Sequence, residues 1–164
     1  MSTISQANEV PQPSEIVAVS AAADIEVGVR FRYAMKLELN MDVSGLLPDW
    51  AERETRYFVG RTASGGAQWY LARVNGEFVG SSCAYVDDGW HSTLVRRSTI
   101  GWIIGVYVRP EFRGRGLARA LSSAAVEWLR GTGCKKARLH ASPFGRGIYE
   151  SLGFTDSNEM ELTL

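Results

Sequence analysis

A β-branched strand runs directly into a glycine-rich turn and then an apolar-striped helix, and this junction restricts the chain more than any other stretch. Ile103-Ile104-Gly105-Val106-Tyr107-Val108 reads as the strand, and Pro110, which has no N–H to give a ladder, stops it. Gly105 within the strand predicts a bulge or a close backbone approach. The turn is Glu111-Phe112-Arg113-Gly114-Arg115-Gly116, and a helix is predicted from about Gly116 to Arg130, striped by Leu117, Leu121, Ala125 and Trp128. Gly131 supplies its stop. A helix start leaves backbone N–H groups unpaired, with partial positive charge converging on one spot. Gly114 and Gly116 remove side chains that would block a ligand there, so the turn suits a phosphate or pyrophosphate. By itself the pattern also fits a plain strand–helix turn with solvated arginines.

The rest of the chain places this junction late in one mixed α/β domain. Residues 1–14 are polar, with Pro11 and Pro13, and are expected to form a flexible tail ahead of a single domain over residues 15–164. Glu15–Val19 reads as a strand, Ala22 to about Leu39 as a helix with Ile25, Val29, Tyr33 and Leu37 on one face, and Asp49 to about Arg61 as a second helix. Trp69–Val74 and a strand from Glu77 to about Val86 flank Asn75-Gly76, a strong hairpin signal because both residues tolerate positive φ. Residues 90–98 read as a loop. After the central helix come a strand at Ala137–Ala141, a short helix from Phe144 to Leu152, and an alternating tail, Glu159–Leu164, expected to be a final half-buried strand. One central sheet follows from this order.

Composition narrows the function. Lys plus Arg and Asp plus Glu are both 18, so formal charge is zero, which disfavours a nucleic-acid or membrane-surface binder. No apolar run approaches the ~20 residues of a membrane span, and the start lacks the basic-then-apolar pattern of a signal peptide. A cytoplasmic protein is expected. Cys83 and Cys134 lack metal-ligand spacing, so no metal is expected, and both read as ordinary thiols.

Two nucleotide readings of the turn fail on residues. A P-loop would need Gly-x-x-x-x-Gly-Lys and then Ser or Thr, which is absent. A dinucleotide turn would need a small residue where Arg119 stands and an acid about 20 residues on, where the chain reads Gly133-Cys134-Lys135-Lys136. Instead, Arg113, Gly116 and Ala118 match an Arg/Gln-x-x-Gly-x-Gly/Ala signature, and Ile148-Tyr149-Glu150-Ser151-Leu152-Gly153-Phe154 matches a second, downstream block. In both, and in their separation, the chain resembles the GNAT (Gcn5-related) N-acetyltransferase superfamily. The resemblance is good over roughly residues 66–164, whereas residues 15–62 match in element order only.

The resemblance implies an α/β (α+β) fold, with a mixed, mostly antiparallel twisted sheet of about six to seven strands and about four helices. It implies acetyl-CoA as cosubstrate and transfer to a primary amine, small molecule or peptide, by direct attack in a ternary complex. The CoA pyrophosphate would sit on the amides of Arg113, Gly114, Arg115, Gly116, Leu117 and Ala118. Backbone groups of Val106, Tyr107 and Val108 would pair with pantetheine, and an N–H at or near Val106 would face the acyl oxygen. Tyr149 would hand a proton or hydrogen bond to the leaving thiolate. Ser142 stands where the family often has Asn contacting pantetheine. Glu38 is the candidate general base, because the first helix and its loop usually wall the acceptor pocket in such proteins. Asp49, Asp87 and Asp88 are outsiders for that role. His91 and His140 read as solvated or packing residues, and Trp50, Trp69, Trp90 and Trp102 as packing by default. Homodimers are common in such proteins. The second functional reading is a non-catalytic acyl-CoA-binding or sensing module.

Overall fold

Asn75 and Gly76 take φ of 51° and 83°, and this two-residue turn folds β2 (Ala67–Val74) back on β3 (Glu77–Val86). The computed structural model describes residues 14–87 and 100–162. β1 (Ser14–Val19) pairs antiparallel with β2, and β4 (Ile100–Val108) antiparallel with β3. β5 (Lys136–Arg138) adds to β4 in parallel, giving one five-stranded mixed sheet in the order β1-β2-β3-β4-β5. The chain is a single α/β domain with four α-helices among the described residues.

Strand alternation sends alternate side chains to two cores. Trp69, Leu71 and Cys83 meet Ile25 and Val29 of α1 (Ala22–Glu38) and Phe58 of α2 (Trp50–Ala63) on one face. On the other face Ala72, Val74, Val79 and Val108 meet Leu117 and Leu121 of α3 (Leu117–Gly131), and α4 (Arg146–Ser151) packs beside α3. The first core closes tightly over Trp69, which is fully buried, because Gly28 lets the helix lie on the indole. A Cβ at Gly28 would stand 2.4 Å from Trp69 Cε3. Gly28→Ala should therefore destabilise the fold by about 1–3 kcal/mol, read as a melting-temperature drop of roughly 3–10 °C. An unchanged melt would mean that α1 lifts freely off β2.

Three expectations are corrected. Among the described residues the sheet has five strands rather than six or seven, and β5 ends at Arg138 instead of reaching Ala141. The alternating tail forms no strand over residues 159–162, where Met160 and Leu162 are 98% and 80% exposed. An alternating sequence becomes a strand only against a partner edge, and the three residues of β5 offer little edge to pair with. The expected tail lies outside the described residues except for Ser14, which begins β1. The loop over residues 90–98, with His91 and Trp90, lies outside them too, as does Asp88.

Candidate active site

Gly105 takes φ +62°, and the register of β3 on β4 slips there, from Ser81 opposite Tyr107 to Cys83 opposite Ile104. Gly105 and Val106 thus form the bulge that a lone glycine in a strand foretold. Ser81, fully buried, donates its hydroxyl to the Gly105 carbonyl at 2.8 Å and satisfies an acceptor that the broken ladder releases. Sequence reasoning did not single out Ser81, and a serine in an otherwise apolar strand was the available signal. Beyond the bulge the sheet opens. β5 pairs only with Ile100, Gly101 and Trp102, so the edge of β4 from Ile103 to Val108 faces no strand among the described residues.

At the end of that open edge, Pro110–Phe112 makes a single helical turn and the chain enters α3 through Gly114 and Gly116, at φ 72° and 78°. These left-handed conformations favour glycine. A Cβ at either position would meet no atom within 4 Å, so the space above the turn is open. α3 has no side-chain N-cap. The amides of its first turn, Leu117 and Ala118 among them, therefore point into that space with the positive end of the helix dipole. Unpaired amides facing open space in this way suit an anionic group such as a pyrophosphate.

Tyr149, on α4, lies on the α3 side of the sheet, edge-on to Phe154 with ring centroids 6.0 Å apart. A Cβ at Gly145 would come 3.0 Å from its ring, so glycine lets the tyrosine pack back on its own helix start. Burial pushes the Tyr149 phenol up, which keeps it a protonated donor at neutral pH. Ser142 accepts the Gly145 N–H with Oγ at 3.2 Å, and its carbonyl accepts the Arg146 N–H at 3.1 Å. Ser142 thus starts the turn into α4 and keeps its own O–H to donate.

Glu38 and Arg113 are brought together instead of being divided between acceptor and phosphate. The carboxylate takes two hydrogen bonds from the guanidinium, each 2.7 Å, and Arg113 Nε donates to the Val108 carbonyl at 2.8 Å. The guanidinium also lies over Tyr107, 5.7 Å from the ring centroid, and Tyr107 packs on Phe31 of α1. Arg113 is thus a strut between the end of α1 and the turn. Hydrogen bonding from Arg113 holds the Glu38 carboxyl below the usual carboxylate range. A depressed carboxylate stabilises the fold above its unfolded pKa, and that gain is lost as pH falls through the folded value. Glu38→Gln should lower the melting temperature slightly at pH 7, because solvent screens a pair 46% and 43% exposed. The difference from wild type should shrink as pH falls through the folded value, which lies below the ordinary glutamate value of about 4.3, and a gap that persists in strong acid would show that the ion pair is not its source.

The opposite face of the bulge was not read from sequence. Arg32 of α1 pairs with Glu54 of α2, and Lys36 follows one turn later. The spacing of Arg32 and Lys36 on one helical face was the missed signal. His140 stacks on Trp102 at 5.3 Å. Arg115 lies over Phe112, 5.4 Å from the ring centroid. Asp49 pairs with Arg53 at the start of α2. Cys83 is buried and Cys134 half-buried, both as free thiols. Among the described residues no group of three His, Cys, Asp or Glu is placed to hold a metal, and no helix is long and apolar enough to cross a membrane.

The chain belongs to the GNAT acetyltransferase family, whose sequence profile matches residues 35–154. An uncharacterised N-acetyltransferase of Methanocaldococcus jannaschii is 29% identical over 110 residues, 65% of this chain and 46% of the relative. An aminoglycoside N(6')-acetyltransferase type 1 of Salmonella typhimurium is 29% identical over 66 residues, 38% of this chain and 46% of that protein. The matched region thus spans about half the length of these curated relatives. A predicted acetyltransferase of Clostridium acetobutylicum, solved with acetyl-CoA, superposes with a TM-score of 0.77 at 22% identity, covering 92% of this chain and 96% of that one. That likeness establishes the fold.

Proposed function

We propose that this chain is an acetyl-CoA-dependent N-acetyltransferase that acetylates a primary amine by direct attack in a ternary complex. The observation that carries the reading is the uncapped start of α3, opened by Gly114 and Gly116 at the end of the unpaired edge of β4. Acetyl-CoA supplies the activated acetyl thioester.

The chain's own residues hold, orient and protonate. The turn amides from Gly114 to Ala118 bind the pyrophosphate, while the Arg113 N–H, expected among them, is given to the Pro110 carbonyl at 3.2 Å. Val106, Tyr107 and Val108 present backbone groups along the open edge, where an amide-containing chain can add as a strand would. Ser142 donates its free O–H toward the same chain. The N–H of Val106, a bulge residue without a register partner on β3, stabilises negative charge developing on the acyl oxygen. Tyr149, kept protonated by burial, delivers a proton to the departing sulfur as the C–S bond breaks, and the proton shed by the attacking amine passes to solvent water. Glu38, held by two hydrogen bonds from Arg113, is a poor proton acceptor. Its geometry reads against the general-base role, and we assign it the orientation of the strut instead. The free thiols suit a reducing cytosol, where we place the protein.

Calorimetric titration with CoA, followed by thiol release from acetyl-CoA over a panel of primary amines, tests the reading. CoA should bind and raise the melting temperature, and at least one amine should release thiol. Absence of any thermal shift at saturating CoA would overturn the proposal. Binding without turnover over a broad panel would replace it with an acyl-CoA-sensing module.

A further inference from the structure

Two adjacent serines lie in the middle of β3, both fully buried, and each donates its hydroxyl to a carbonyl. They serve different partners. Ser82 bonds the Leu121 carbonyl of α3 at 2.9 Å. Ser81 bonds the Gly105 carbonyl at 2.8 Å, inside the bulge of β4. Strand alternation sets Ser81 on the side of Cys83, where α1 packs, and Ser82 on the side of α3.

The bond to Gly105 does more than satisfy an acceptor. Among the described residues no peptide bond is cis. In a trans peptide the C=O and the following N–H point in opposite directions. With the Gly105 carbonyl held by Ser81, the N–H of Val106 is aimed away from Ser81 and from the α1 side. The neighbours of this peptide are held by packing. Tyr107, opposite Ser81 in the register, packs on Phe31 and lies under the Arg113 guanidinium. The stem of Arg32 covers Gly105 on the α1 side, where a Cβ would come 3.3 Å from Arg32 Cβ, and Glu54 holds the guanidinium. Gly105, at φ +62°, lacks the side chain that would restrict its own peptide. The Ser81 bond supplies that restriction. It also polarises the peptide, and a peptide whose carbonyl accepts a hydrogen bond is a stronger N–H donor.

We propose that Ser81 is a positioning residue for acetyl transfer: through the Gly105 carbonyl it aims and strengthens the Val106 N–H as the donor to the acyl oxygen. Fully buried, it acts from behind the strand and touches no substrate itself. The proposal rests on the acetyl-transfer reading and names what orients its oxyanion donor.

Acetyl-CoA labelled with carbon-13 at the thioester carbonyl provides the test, bound to the full chain and read by infrared difference spectroscopy. A hydrogen bond to that carbonyl lowers its stretching frequency. In Ser81→Ala the band should lie at higher frequency than in wild type. For the panel amine that wild type turns over fastest, kcat should fall about tenfold or more, short of the ~10²–10³-fold cost of losing a whole oxyanion donor. Calorimetric affinity for CoA should stay as in wild type, because the turn before α3 is untouched. Ser82→Ala is the control, since it removes an equally buried hydroxyl from the same strand. Both alanine variants should melt below wild type, but Ser82→Ala should keep the wild-type band and kcat. Ser81→Cys keeps the shape with a weak donor, should fall between Ser81→Ala and wild type, and carries the comparison if Ser81→Ala does not fold. A wild-type band and kcat in the Ser81 variants, or equal losses in both alanine variants, would overturn the proposal and leave the transferase reading standing. If the band moves as expected but no amine releases thiol from wild type, the orienting role stands and the transferase reading fails. No binding of acetyl-CoA to wild type would overturn both.

Discussion

Replacing Gly116 with valine should abolish CoA binding, raising Kd at least 100-fold. Two causes act together. Gly116 sits at φ +78°, which costs a β-branched residue about 1–3 kcal/mol, and the new side chain would project into the open space above the uncapped start of α3. Strain alone could reduce binding by loosening the turn. Gly116→Asn separates the causes, because asparagine tolerates the left-handed conformation. That variant should melt close to wild type and still lose CoA. Calorimetry and thermal melts of both variants make the comparison. Wild-type affinity in both would show that the turn is not where the pyrophosphate lies.

Tyr149→Phe is expected to lower kcat by about 10²–10⁴-fold, the range for a lost general acid, with little change in affinity for acetyl-CoA. The ring stays packed on Phe154 and against the α4 start, so removal of the hydroxyl leaves the binding surface in place. Burial raises the phenol's pKa, so the donor form is the one present at neutral pH. The wild-type rate should fall in alkali as that proton is lost, above the ordinary tyrosine value of about 10. The phenylalanine variant should show no such limb. Single-turnover rates beside equilibrium binding separate the two effects. Equal loss in both would make Tyr149 a binding residue.

Much of the fold was legible because the signals are local. The four-residue spacing in α1, the Asn75-Gly76 turn, Gly105 as a bulge and the glycines before α3 each state a backbone requirement within a few residues. The observed elements begin and end close to where those signals fall. The open turn before α3 was legible for the same reason, since strand, turn and helix start are contiguous. What failed was long-range: the length of β5 and the fate of residues 159–162 depend on whether a distant edge is available. Nothing within the alternating tail announces its partner.

The sequence by itself determined that an open, glycine-entered helix start would follow a bulged strand, because φ preferences and hydrogen-bond accounting belong to neighbouring residues. Only the tertiary structure decided that Glu38 would be tied to Arg113, and that Arg32, paired with Glu54, would lie over Gly105 at the bulge. Charge pairing depends on distances between elements far apart in the chain, and those distances exist only once α1 is packed on the sheet.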